Sequence, residues 1–204
     1  KINGGQWGFG VWGDDDMMVF GTPDAGLTRI AADGTSPRKL TTLQAGEGSH
    51  FTPELVPGSR AALFTIGFRA LRSPRIEAVM LDTGERRLVV ENARNPRYLT
   101  SGHLLFQRDE GNLIAPFDAG RLTLTGPAVP LIDEARRDGN ALAAGQNAQL
   151  VVSRGGTLAY VPGTDQTGGV LGVTTRAGVF TPLWTSSGSH CQTARVAERT
   201  IHRI

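Results

Sequence analysis

One pattern returns four times along this 204-residue chain and limits what it can fold into. A short turn leads into three small or apolar residues and then an aromatic. The four instances are Asp16-Met17-Met18-Val19-Phe20, Arg60-Ala61-Ala62-Leu63-Phe64, Gly102-His103-Leu104-Leu105-Phe106 and Gly156-Thr157-Leu158-Ala159-Tyr160. The aromatics stand 44, 42 and 54 residues apart. Between them, glycines and prolines (27 and 11 in all) punctuate short apolar runs, and helical periodicity is weak throughout. A repeat near forty residues that holds only strand signals is the mark of an all-β fold, the β-propeller, with one four-stranded blade per repeat.

The repeats set the expected boundaries. One domain spans 1–204, with blades at about 2–43, 50–91, 96–132 and 146–185. In the first blade the strands are expected at Gln6–Gly13, Met17–Gly21, Leu27–Ala32 and Arg38–Leu43. In the second they are expected at Phe51–Val56, Ala61–Phe68, Ile76–Asp82 and Arg86–Glu91. Asp33-Gly34, Pro57-Gly58 and Thr83-Gly84 supply turns. The stretch Leu131 to Ala144 reads as a loop, because Asp138-Gly139-Asn140 breaks its helical pattern. Residues 186–204 are too few for a whole blade, so a five-bladed ring with an abbreviated last blade is expected. The alternative is a fragment that closes by self-association, since an open blade leaves an unpaired sheet edge.

Composition excludes several classes. No apolar run approaches the ~18 residues of a membrane helix, so no membrane insertion is expected. A net charge of +2, with arginines scattered in small clusters such as Arg94/Arg97 and Arg195/Arg199/Arg203, makes no phosphate-tracking stripe. Nucleic acid is therefore not the expected partner. The single cysteine, Cys191, cannot form an internal disulfide.

In a propeller the inner strands line a central channel, and ligands sit at its mouth. By repeat position the inner strands carry Trp7, Trp12, His50, Thr52, Glu54, Arg97, Tyr98, Asn147, Gln149, His190 and Gln192. His50 and Glu54 lie four apart, so regular alternation puts them on one face as an acid/base or metal pair, although Pro53 lies between them. His190 beside Cys191 is a third catalytic candidate. Trp7, Arg97, Tyr98, Asn147 and Gln149 are the ligand-binding candidates, and Trp12 is expected in the core. Asp14-Asp15-Asp16 is the one dense carboxylate run. With Glu54 it is a candidate Ca²⁺ contributor, against the plainer reading of a capped hairpin turn. His103 reads as structural, and no Gly-x-Ser-x-Gly elbow or His-Glu-x-x-His helix is present.

Several segments carry a family resemblance. They are Arg97–Phe106, Leu113-Ile114-Ala115-Pro116-Phe117-Asp118, Gly156–Gly163 and Asp82-Thr83-Gly84-Glu85-Arg86-Arg87. Over about residues 3–184 the chain resembles the TolB-like, WD-type propeller domains that follow the transmembrane segment of many bacterial serine/threonine kinases. The resemblance implies a propeller, and it slightly favours an extracytoplasmic location. Family members continue for further blades. After Trp184 the likeness fades, and Ala197-Glu198-Arg199 stands where a Ser-Pro-Asp-Gly turn is expected, as in a truncated gene. No kinase motif is present.

Two functions follow as expectations. The first is a binding or sensing module for a small molecule, peptide or glycan at the channel mouth. The second is a Ca²⁺-dependent lactonase-type hydrolase working in the channel, by analogy with propeller lactonases.

Overall fold

The computed structural model describes residues 9–22, 24–68, 73–109, 111–132, 137–138, 147–148, 150–153, 157–162, 169–174 and 179–186. These residues form strands joined by short turns, with no α-helix among them. The chain divides into two compact units, Lys1–Tyr98 with Gly102–Leu131, and Leu99–Ser101 with Ile132–Ile204.

The first unit contains three antiparallel meanders. The first sheet is β1 (Phe9–Trp12), β2 (Met17–Gly21), β3 (Leu27–Ala31) and β4 (Arg38–Lys39), paired in chain order. The second sheet is β5 (Glu47–Leu55), β6 (Ala61–Phe68), β7 (Arg75–Met80) and β8 (Arg86–Val90), also in chain order. The third is β9 (Arg94–Leu99), β10 (His103–Arg108), β11 (Gly111–Asp118) and β12 (Thr123–Leu124), with β13 (Val129–Ile132) also paired to β11. Chain-order pairing follows from the short connections, which return each strand antiparallel beside its predecessor.

In the second unit, β14 (Arg137–Asp138) pairs with β15 (Asn147–Ala148). The expected loop between blades thus holds one arm of a small ladder. A fourth meander follows: β16 (Leu150–Val152), β17 (Leu158–Tyr160), β18 (Gly169–Thr174) and β19 (Phe180–Ser186). The proposed partial fifth blade lies outside the described residues, apart from Ser186.

The repeated aromatic sits on the second strand of each meander. In β6 every residue from Ala61 to Gly67 is buried, because both faces of the second sheet are covered. Phe64, Ile66, Ala62 and Val79 pack with Val19, Leu27 and Leu40 of the first sheet and its exit. Leu63, Ala61, Ile76 and Ala78 face the other way and pack with Leu104, Phe106, Leu113 and Ala115 of the third. A strand buried on both sides reads as a continuous apolar run, which is what Ala-Ala-Leu-Phe-Thr-Ile is.

The first and second sheets approach closely. A Cβ added at Gly21 would overlap the carbonyl oxygen of His50, and one at Gly26 would overlap that of Thr41. The His50 N–H donates to the Ala25 oxygen at 2.9 Å across the same gap. Only glycine lets two backbones meet at this distance.

Candidate functional site

Strand β5 positions the candidate residues, and it is irregular twice. Its register with β6 slips between Glu47 and Ser49, and again between Phe51 and Glu54. Each slip is a β-bulge, one extra residue that reverses the alternation of side chains. The second bulge contains Thr52 in a left-handed backbone, φ +48°. A β-branched residue rarely adopts that conformation, at a cost of about 1–3 kcal/mol.

The bulges overturn the expectation that His50 and Glu54 share a face. His50 stands opposite Ile66, while Glu54 stands opposite Leu63, on the other side of the sheet. Conversely, Glu47 and His50 have an odd spacing yet fall on one face, because Glu47 stands opposite Phe68.

His50 therefore points into the seam between the first and second sheets, where it is fully buried. Its Nε2 lies 2.9 Å from Glu47 Oε2, and its Nδ1 lies 2.7 Å from Thr41 Oγ1. The Leu27 N–H donates to the same threonine oxygen at 2.8 Å. An ionised Glu47 accepts only, so Nε2 carries the imidazole hydrogen and Thr41 donates its hydroxyl hydrogen to Nδ1. Glu47 Oε1 also accepts from Arg75 Nη2 at 3.0 Å and Arg86 Nη2 at 2.6 Å. Glu77 accepts from Nε of the same two arginines, at 2.7 Å each. The Gln44 N–H completes the set on Glu47 Oε2 at 2.7 Å.

Burial opposes ionisation of Glu47, but the Arg86 guanidinium, the Gln44 N–H and His50 outweigh it and bring the carboxyl to about 2. Burial also holds His50 below its usual range, against the hydrogen bond it donates to Glu47, which favours the cation. A hydroxyl, an imidazole and a carboxylate in line resemble a nucleophile relay. Here the hydroxyl is itself buried and already accepts a backbone N–H, so the chain of bonds ties the connector 40–46 to the second sheet.

On the opposite face, the structure brings three sequence candidates together. Glu54 Oε2 accepts from Arg97 Nη1 at 3.0 Å, and Oε1 accepts from the Tyr98 N–H at 3.1 Å. Burial pushes the Glu54 carboxyl above its ordinary range, more strongly than Arg97 and the Tyr98 N–H draw it down. Its side chain is 17% exposed and that of Arg97 is 51% exposed, so the pair sits at the rim of this seam. Tyr98 packs on the hydrophobic core and meets Phe117 edge-on, ring centroids 6.2 Å apart. Deeper in the same seam, Thr52 Oγ1 and Thr65 Oγ1 share a hydrogen bond of 2.7 Å. Thr65 Oγ1 also accepts from the Asn95 N–H at 2.8 Å, and within the third sheet Asn95 Nδ2 donates to Gln107 Oε1 at 2.7 Å.

The acidic turn does not gather around Glu54. Asp15 Oδ1 accepts from the Met17 N–H at 3.2 Å, and its Oδ2 pairs with Arg29 Nη2 at 2.6 Å. Asp16 turns the corner with φ +55°. Among the described residues no three His, Cys, Asp or Glu side chains lie close enough to hold a metal ion. The described donors thus do not assemble a Ca²⁺ centre, which wants six to eight oxygens. Trp12, expected in the core, is 52% exposed at the end of β1. His103 opens β10 opposite Pro116 and is half-buried. Trp7, Gln149 and His190 lie outside the described residues, as does the side chain of Asn147.

Sequence reading missed Glu47, Glu77, Arg75 and Arg86. The available signal was charge on buried strands: Glu47 and Glu77 are carboxylates on the largely buried strands β5 and β7 and need cationic partners nearby.

No protein-family profile matches the sequence, and no curated protein matches it. Solved structures do. TolB from Acinetobacter baumannii superposes with a TM-score of 0.62 at 16% identity, over 90% of this chain and 45% of that one. A gluconolactonase from Xanthomonas campestris gives 0.59 at 14%, over 88% and 62%. The calcium-binding protein regucalcin from Agrobacterium tumefaciens gives 0.57 at 14%, over 88% and 59%. The chain spans between 45% and 62% of the length of these structures. At such identities the likeness is one of fold. The chain is an all-β propeller, and its neighbours include TolB-like propellers.

Proposed function

We propose that this chain is a propeller binding module that presents a small molecule, peptide or glycan site at the Glu54 end of its inner strands. One observation carries the reading. Arg97 offers a half-exposed guanidinium held in place by a mostly buried carboxylate, with Nε and Nη2 left to meet a ligand. An arginine pre-oriented in this way suits a carboxylate or another planar polar group. The exposed indole of Trp12, also on an inner strand, adds a stacking surface. The best-formed acid–base cluster, around His50, is sealed inside a seam and committed to structure.

The test is a thermal-shift and calorimetric screen of short acidic peptides, oligosaccharides and acyl lactones, repeated with Arg97→Ala. A ligand whose affinity falls about tenfold or more in the variant supports this site. Ligand binding that is indifferent to Arg97 moves the site elsewhere.

The second reading, a lactonase-type hydrolase, is favoured by the fold likeness to a gluconolactonase. It would draw on Glu54, His50 and His190 with Ca²⁺, and the described donors do not assemble such a centre. Elemental analysis and lactone turnover with and without chelator decide it. An extracytoplasmic location belongs with the binding reading and rests on the TolB likeness. Self-association through an open sheet edge, five blades, and a sensory role beside a kinase are further parts of the proposal.

A further inference from the structure

The seam between the first and second sheets holds a charge set that cancels: Glu47 and Glu77 against Arg75 and Arg86. His50 joins it as a neutral ring with both nitrogens engaged. The groups facing that ring are Glu47 on its own strand, Arg75 and Glu77 on β7, Arg86 on β8, and the Thr41 hydroxyl from the connector. On the first sheet Arg29 is turned to Asp15, and Arg38 to the carbonyl oxygens of Leu81 and Asp82. Gly21 brings backbone against His50.

A second proton on this ring disturbs the hydrogen-bond pattern set for the neutral form. Nδ1–H would face Thr41 Oγ1, which already accepts the Leu27 N–H and would lose the acceptor for its own hydrogen. The set would also become a net buried cation beside Arg86. The one carboxylate touching the ring, Glu47, is already shared with Arg75, Arg86 and the Gln44 N–H, so the added buried charge is poorly met, and opening the seam to water relieves it.

We propose that His50 is an acid-sensitive latch, holding the connector 40–46 and the first sheet against the second only while its imidazole is neutral. The seam between the second and third sheets is crossed by the Asn95 N–H bond to Thr65, and the Glu54 carboxyl at its rim responds to acid in the opposite sense, so this seam stays closed over the same range.

Native-state hydrogen exchange on the full chain, corrected for intrinsic rates, tests this at about pH 7 and about pH 5. Between those values the amides of Leu27, Gln44 and His50 should lose about tenfold or more in protection relative to that of Asn95. Equal changes at both seams, or none at either, overturn the latch. Imidazole nitrogen shifts give a second readout. They should show the neutral Nε2–H form with a midpoint below that of free histidine, and a midpoint at or above the free value of about 6.5 overturns it. In His50→Gln the difference between the seams should vanish. If that variant does not fold, the two wild-type measurements still decide.

Discussion

The two seams of the second sheet solve one packing problem with different chemistry. Toward the first sheet, two carboxylates and two guanidiniums surround a neutral imidazole and the Thr41 hydroxyl. Toward the third sheet, the Thr52 and Thr65 hydroxyls and the Asn95 N–H meet inside, and the Arg97–Glu54 ion pair lies at the rim. A hydroxyl or amide that loses its partner leaves a dipole unmet. An ion that loses its counter-ion leaves a buried charge. The first seam should therefore be the more brittle, and the more responsive to pH.

The largest expected effect is that of Glu47→Gln. It takes from Arg75 and Arg86 one of the two carboxylates they share and should destabilise the chain by about 3–5 kcal/mol in urea unfolding. Thr65→Val is the matched change in the other seam. It strips a partner from Thr52 and from the Asn95 N–H and should cost about 1–3 kcal/mol. If the two variants prove equal, the contrast between ionic and neutral seams fails.

Acid should separate the seams further, and the signs differ. Glu47 has its folded value depressed to about 2, so its contribution is whole above the ordinary carboxylate value and is lost as pH falls toward about 2. His50 is also depressed, so its contribution is present above about 6.5 and lost below it. Glu54 is raised, so the opposite holds. Its contribution is present at low pH and is lost as pH rises through the folded value. The stability of wild type relative to Glu54→Gln should thus grow as pH falls, whereas relative to Glu47→Gln it should shrink. Paired unfolding curves at several pH values check both slopes, neither exceeding about 1.4 kcal/mol per pH unit.

The smallest effect on stability belongs to Arg97→Ala. Its half-exposed pair with Glu54 is worth about 0.2–1 kcal/mol, so a near-native melting curve with lost ligand binding would mark the arginine as functional. A large loss of stability would instead make it another seam residue.

Much of the fold is legible in the chain. Met17–Gly21 and Ala61–Phe68 were expected as strands and are found with those bounds. Gly and Asp at turns, together with the recurring aromatic, carry that information locally. The site is less legible because parity along β5 is set by two bulges, which no local pattern announces. Glu47 and His50, three apart, share a face, while His50 and Glu54, four apart, do not. Thr52 in a left-handed backbone is the hinge of that reversal, and a β-branched residue is the last one composition would nominate for it. The pairing of Glu54 with Arg97 and Tyr98 depends on contact between strands 43 and 44 residues apart. Inner-strand position alone was enough to nominate all three. Trp12 shows the converse, a large apolar residue on an inner strand that packing leaves half in solvent.

The doubly bulged β5 also bears on how this strand can evolve. Deleting a single residue between Glu47 and Glu54 would swap which neighbour each later side chain greets, sending carboxylate and imidazole to the wrong partners together. A point substitution there leaves that parity intact, whereas a change of length reverses it. Relatives of this chain should therefore vary in letters along that stretch while keeping its count.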